Sequence, residues 1–235
     1  MRPAKEGPNK ERFIVMSGEK ARIVVVDDHP IVRDGLAELL NREEDLTVCG
    51  DAADAAQAVK VIAETKPDLA IVDISLCKSN GLHLIKHLRA ANAKLYILVL
   101  SMHEEDVYAE RALRAGAQGY IMKREPPKKV IAAIRHVLSG EIYVGDEMAA
   151  RFMRRFVGGG PDVGASPVEV LSDRELEVFD LIGQGLKTGQ IAARLHLSVK
   201  TIESYREHIK EKLSLKNATE LVQHAIKWVH EDKEP

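Results

Sequence analysis

The chain has 235 residues, of which 45% are hydrophobic and 30% charged, with a formal net charge of −2 and a pI near 6.5. That length favours two domains with real apolar cores, and the charge supplies no overall positive field for nucleic acid, so a nucleic-acid role needs a local one. Cys49 and Cys77 are the only cysteines and sit in no metal-ligand spacing, which argues against a disulfide scaffold and for a reducing compartment.

Residues 1–20 are charged, are broken by Pro3, Gly7 and Pro8, and hold no apolar run long enough for a signal peptide or membrane span. They read as a loose extension of a cytoplasmic protein. From 21 to about 140 strand and helix patterns alternate. Short branched apolar runs predict strands at 22–27, 46–50, 68–73, 95–101 and 118–122. Between them lie amphipathic stretches. Ile31, Gly35, Leu36, Leu39 and Leu40 are placed on one face of the first helix, and Val130, Ile131, Ile134 and Leu138 on one face of the last. The fold class expected is α/β, a five-stranded doubly wound parallel sheet.

The ends of those strands carry the chemistry. Ile23 to Val26 runs into Asp27 and Asp28, and Leu69 to Val72 into Asp73; the fourth strand ends on Ser101 and the fifth near Lys123. Carboxyl ends of parallel strands are where open α/β sheets place their sites. Carboxylates that repel one another can share Mg²⁺, which prefers one or two carboxylates completed by water and phosphate oxygens. A phosphoryl group on Asp73 would then meet the metal, Lys123 and Ser101, so the set reads as an aspartyl-phosphate site.

These segments resemble the receiver domain of two-component response regulators: Val-Val-Asp27-Asp28-His-Pro, Val72-Asp73-Ile followed by Gly81-Leu82, Leu100-Ser101, and Gly119-Tyr120-Ile-Met-Lys123. The resemblance implies that Asp73 takes phosphate from a sensor histidine kinase and that Asp28, Asp73 and the Ser75 carbonyl bind Mg²⁺, with Asp27 acting through water. It also implies that Lys123 pairs with the phosphoryl group, Ser101 shifts towards it and Tyr120 changes rotamer. Leu76-Cys77 stands where many receivers carry Met-Pro, leaving a less rigid loop. Ser75 and His103 occupy positions that influence phosphate loss in that family.

Residues 141–169 read as a linker, with a charged helical stretch from Asp146 to Phe156 followed by Gly158-Gly159-Gly160-Pro161. From 170 to 235 only helices are indicated. Ser172 and Glu175 have capping-box spacing, Leu176, Phe179 and Ile182 form an apolar face ending at Gly183 and Gly185, and a helix from Thr188 to Leu195 precedes a turn and a longer helix. This domain is not basic overall, but over 187–216 seven Lys and Arg oppose three Glu, a local charge of +4.

The segment resembles the LuxR-type helix-turn-helix of NarL- and FixJ-like regulators through Leu-Ser-Asp-Arg-Glu175, Ile182-Gly-Gln-Gly185, Gln190-Ile-Ala192, Leu197-Ser198-Val-Lys200-Thr201-Ile202-Glu203 and Lys212-Leu213. The resemblance implies a recognition helix from Ser198 to Leu213. Lys187, Ser198, Lys200, Thr201, Glu203, Ser204, Arg206, Glu207 and Lys210 are its candidate DNA-contact residues, with Lys200 and Thr201 on phosphates and Glu203, Ser204 and Glu207 towards base edges. Tyr205 stands where many relatives carry His. The whole reads as a transcriptional response regulator rather than an enzyme, with DNA, a sensor kinase, RNA polymerase and a second copy of the chain as partners. A phosphohydrolase is the rival from enzyme chemistry, although Asp27-Asp28-His29 lacks the Asp-x-Asp spacing; a protein-interaction module is the other.

Overall fold

The computed structural model describes residues 19–76, 79–103, 105–157 and 166–231. Most of the N-terminal extension, Cys77 and the glycine run at 158–160 lie outside these residues.

Five strands, β1 (Ala21–Val26), β2 (Leu46–Ala52), β3 (Leu69–Val72), β6 (Tyr96–Ser101) and β7 (Gly119–Met122), form one parallel sheet in the order β2-β1-β3-β6-β7. β1, β3, β6 and β7 are short and buried along almost their whole length, as parallel strands covered by crossover helices must be, whereas β2 at the sheet edge is buried only at Leu46 and Ala52. One face is closed by α1 (Pro30–Asn41) and α5 (Pro127–Leu138), whose Leu36, Leu40, Val130, Ile134 and Val137 pack on Ile23, Val25 and Leu69. The other is closed by α2 (Ala55–Thr65), α3 (Gly81–Ala91) and α4 (Glu105–Ala115), packed on Val24, Val26, Ile97 and Val99.

Strand order reverses between β1 and β3, because β1 leads to β2 on one side and β3 begins the walk to the other. Such a switch point opens a crevice at the carboxyl ends of the two strands. Val26 is registered with Val72, so Asp27 and Asp73 leave the sheet side by side at that crevice.

The structure corrects one local expectation and adds one local feature. Ile31 does not join the core face of α1: it is 82% exposed, and Val32 packs inward in its place. A helix that lies flat on a sheet buries a stripe at positions 32, 36 and 40, and position 31 falls outside that stripe. The loop after Asp73 also contains a two-stranded antiparallel ribbon, β4 (Ser75–Leu76) and β5 (Ser79–Asn80), too short to leave a periodic signature.

Beyond the sheet, α6 (Asp146–Phe156) and a 3-10 turn (Pro167–Val170) lead to four helices: α7 (Asp173–Gly183), α8 (Thr188–Leu195), α9 (Val199–Lys212) and α10 (Ala218–Glu231). Their core is Leu176, Phe179, Ile182, Ile191, Ile202, Ile209, Leu221 and Ala225. It joins the α2–α4 core through Met148, Val168 and Leu171, so one apolar layer runs from the sheet into the helical domain. Among the described residues no helix is long and apolar enough to cross a membrane.

Candidate phosphorylation site and nucleic-acid interface

Asp27, Asp28, His29 and Asp73 converge at the crevice, each offering a ligand atom within 4.8 Å of the others. Asp27 and Asp73 are almost fully buried, yet neither carboxylate is left to repel the other unscreened. The Lys123 ammonium lies 2.5 Å from Asp27 Oδ2 and 2.7 Å from Asp73 Oδ2. Lys123 reaches them because its backbone amide donates to the Ser101 carbonyl at 2.7 Å, extending the β6–β7 ladder to the sheet edge. Burial pushes the Asp73 carboxyl above the usual aspartate range, against the pull of Lys123. Burial also works against the ammonium of Lys123, but Asp73 and Asp27 outweigh it and hold the group above the ordinary lysine value.

Whether this pocket fits a cation is decided at Asp28. Its Oδ1 is buried and has no hydrogen-bond partner among the described residues. His29 Nδ1 lies only 2.7 Å away, but a short separation is not a hydrogen bond unless the direction is right, and the oxygen remains unsatisfied. A buried carboxylate oxygen with no donor, beside two more carboxylates, fits a hard divalent ion with oxygen preference.

The remaining predicted residues surround this centre. The Ser75 amide donates to Asp73 Oδ1 at 3.2 Å, while its hydroxyl lies 2.7 Å from His103 Nε2. Ser101 is fully buried, and its Oγ accepts from the His103 amide at 3.2 Å. Tyr120 is also fully buried, with its hydroxyl donating to the His103 carbonyl at 2.7 Å. His103 therefore joins Ser75, Ser101 and Tyr120 in one network, and its ring stacks on Tyr108 at 4.4 Å.

Two contributors went unnoticed in the sequence. His29 sits against both Asp27 and Asp28, and its place directly after the paired carboxylates was the available signal. Arg33 donates to the Asp27 carbonyl at 2.7 Å and pairs with Asp51, a link that helical spacing alone does not reveal.

In the helical domain Ser172 and Glu175 form the predicted capping box, and Lys212 Nζ adds a 2.6 Å ion pair to Glu175 from the far end of α9. Glu175 is buried; burial opposes its charge, but Lys212 and the Ser172 groups hold its carboxyl below the ordinary glutamate range. The stabilisation this provides is present above the unfolded-chain pKa of about 4 and lost as pH falls through the lower folded value. Glu175→Gln is expected to cost the helical domain about 1–2 kcal/mol at neutral pH and to flatten its acid limb, as read from chemical denaturation across pH.

Helix α8, a left-handed His196 with φ of 53°, and α9 make the helix-turn-helix. Ser198 caps α9 by accepting from the Thr201 amide at 3.0 Å, so its hydroxyl is already engaged locally. Lys187, Ser198, Lys200, Glu203, Ser204 and Glu207 are exposed, whereas Thr201, Arg206 and Lys210 are half-buried. Lys210 pairs with Glu207 at 2.8 Å.

A doubly wound sheet with a carboxylate–lysine centre at its switch point, joined to a helix-turn-helix, defines a protein that couples a signal-receiving domain to DNA. Residues 23–135 match the response regulator receiver domain, and residues 169–225 match the luxR family of bacterial regulatory proteins. The chain is 38% identical over 210 residues to the oxygen regulatory protein NreC of Staphylococcus haemolyticus, covering 88% of this chain and 97% of that one. Among solved structures it is similar to RcsB of Salmonella enterica serovar Typhimurium bound to promoter rprA, with a TM-score of 0.65, 25% identity, and coverage of 88% of this chain and 99% of that one. A LuxR-family response regulator from Aurantimonas matches at 34% identity and a TM-score of 0.55, over 59% of this chain and 99% of its own. The chain belongs to the response regulators that join a receiver to a LuxR-type DNA-binding domain, and it is a DNA-binding transcriptional regulator.

Proposed function

We propose that Asp73 is the phosphoacceptor and that a sensor histidine kinase is its donor. The observation that carries this reading is the Lys123 ammonium held between Asp27 and Asp73 beside the unsatisfied Asp28 Oδ1. An Asp73 oxygen attacks the phosphorus of a phosphohistidine, the P–N bond breaks, and an acyl phosphate forms. Hydrolysis later returns inorganic phosphate and the free carboxylate. Lys123, released from Asp73 Oδ2 as that oxygen is esterified or turned, pairs with the incoming phosphoryl oxygens. Mg²⁺ held by Asp27, Asp28, Asp73 and the Ser75 carbonyl would neutralise the charge gathered there.

Ser101 and Tyr120 relay the event. A phosphoryl oxygen would offer the Ser101 hydroxyl an anionic acceptor, and Ser101 Oγ accepts from the amide of the same residue, His103, whose carbonyl holds Tyr120. Moving one disturbs the other. The output is DNA binding by a dimer. Lys187, Ser198, Lys200, Thr201, Arg206 and Lys210 serve phosphates, Glu203, Ser204 and Glu207 face base edges, and RNA polymerase is a further partner. The exposed start of α9 supports this assignment, since a helix N-terminus adds its own positive end to Lys200.

The test is covalent. Full-length protein incubated with acetyl phosphate and Mg²⁺, then reduced with borohydride and digested, is expected to show phosphate expelled and the carboxyl of Asp73 alone converted to the homoserine alcohol, a product absent with EDTA and absent from Asp73→Asn. Reduction at Asp27 or Asp28, or none, would reject the assignment.

A further inference from the structure

Helix α6 is fastened to the receiver along one side and bare along the other. Just before it, Tyr143 donates to the Gln118 carbonyl and accepts from the Tyr120 amide, both at 2.9 Å, so the chain runs along the outer edge of β7. The Gly145 amide then donates to Glu105 Oε1 at 2.5 Å. Within the helix Met148 is buried in the core and Phe152 packs against it. The buried Arg151 donates to the Asp106 carbonyl at 3.1 Å and pairs with Glu169, which belongs to the turn before α7. Arg111 of α4 donates to Asp173 Oδ1 at 3.0 Å, so the helical domain is tied to the same side of the receiver as α6.

The opposite side of α6 carries Asp146, Ala150, Met153 and Val157, all exposed, Met153 being 64% and Val157 79% accessible. Val157 continues the last turn, its amide donating to the Met153 carbonyl at 3.0 Å. Steps of four, three and four residues set these positions on one line, the seam by which two helices pack together. A single exposed apolar side chain is ordinary, but two of them one turn apart beside a small residue form a strip suited to a partner helix. Glu147 and Arg154, both exposed and one heptad apart, share one flank of that strip. When two such helices lie antiparallel, the same flank of each meets, and Glu147 of either copy faces Arg154 of the other. Parallel packing would oppose that flank to Ala149 and leave both charges unmatched. The charge pattern is thus complementary to itself under a two-fold axis.

We propose that α6 is a dimerisation surface whose occupant is α6 of a second copy of this chain, packed antiparallel about Ala150. The proposal deepens the reading of a DNA-binding dimer by naming the surface that joins the copies. Each chain offers the strip once, so a two-fold pairing closes the assembly at two. The face is short and the dimer it makes is weak. DNA reinforces it, because two helical domains already paired bind adjacent half-sites as one unit. Arg151 carries the pairing onward, since it lies on the far side of the same helix and holds the turn that opens the DNA-binding domain.

Sedimentation of the full-length chain should show a monomer–dimer equilibrium with a dissociation constant on the order of 10–100 µM, in keeping with so small an interface. Met153→Glu puts a charge on the seam at an exposed position, and should weaken the dimer about tenfold or more while binding of the phosphate mimic beryllofluoride with Mg²⁺ stays unchanged. Glu147→Arg and Arg154→Glu should each weaken it about threefold, and the two together should restore it. Ala150→Cys should give a disulfide-linked dimer on mild oxidation, at a rate the unaltered chain does not match. A chain that stays monomeric at every concentration, leaving the face to a different protein, overturns the proposal. So does a dimer indifferent to Met153→Glu, a double charge variant no better than either single one, or an Ala150→Cys chain that links no faster than the unaltered protein. Duplex binding by dimers of Met153→Glu would remove α6 from the assembly and leave the DNA-binding reading standing. Dimers that form at α6 but bind no duplex would fail that reading instead.

Discussion

Gly81→Ala is expected to lower the unfolding free energy of the receiver by about 2–4 kcal/mol and to abolish labelling of Asp73, while leaving the DNA-binding domain folded. Gly81 opens α3, directly after the Asn80 cap, whose side chain accepts from the Leu82 amide at 2.8 Å. The chain turns so tightly that the Gly81 amide donates to the Ile74 carbonyl at 2.9 Å. A methyl group at this position would lie 2.2 Å from the Asp73 carbonyl oxygen and 2.6 Å from Ile74 Cα. Both obstacles are backbone, so no rotamer can relieve the clash. Relief requires the loop to back away from α3, carrying Asp73 and the Ser75 amide with it. Loss of beryllofluoride binding with an unchanged melting transition for the helical domain would be the signature; full labelling at Asp73 would contradict so close an approach of α3 to the loop.

The contrast between legible and hidden features follows from range. Strand runs ending in Asp27–Asp28 and Asp73 are visible because branched apolar residues at a fixed period announce buried parallel strands, and their carboxyl ends are then determined. Ser101 and Lys123 follow by the same logic, one strand further each. The capping box at Ser172 and Glu175 is visible because both partners lie within four residues. Hidden features depend on neighbours distant in sequence. Arg111 and Asp173 are 62 residues apart and carry no shared pattern, and nothing local distinguishes Arg111 from Arg114, whose partner Glu110 is one turn away. Ile31 and Val32 are equally apolar, so only the lie of α1 on the sheet decides which is buried. Seven basic residues over 187–216 locate a positive region, but not that Lys212 turns back to Glu175 or that Lys210 is paired with Glu207.

Glycines divide along the same line, and the largest effect expected in the helical domain comes from one whose role is not local. Gly185 has φ of 85° and closes the end of α7, as a glycine past a helix end usually does. Gly183, only two residues earlier, is helical and buried, and its missing side chain makes room for another helix. A Cβ there would meet the Ala225 carbonyl oxygen at 2.3 Å and Val229 Cγ2 at 2.5 Å, so α10 would have to move off α7. The pair α7 and α10 encloses Phe179, Leu221 and Ala225, and the Phe179 ring lies 5.7 Å from that of Trp228. A domain of this size holds on the order of 3–5 kcal/mol of stability from its core, and Gly183→Ala should remove about 2–4 kcal/mol of it. The DNA-binding domain is then left with about 1 kcal/mol and is partly unfolded at physiological temperature. Trp228 provides the reading: its fluorescence should shift towards that of solvent-exposed indole and duplex binding should fall, while binding of the phosphate mimic beryllofluoride by the receiver persists, because the sheet keeps its own core around Ile23, Val25, Leu69 and Ile134. Native Trp228 emission with intact duplex binding would show that α10 yields at little cost, and that the close α7–α10 contact does not hold the domain together.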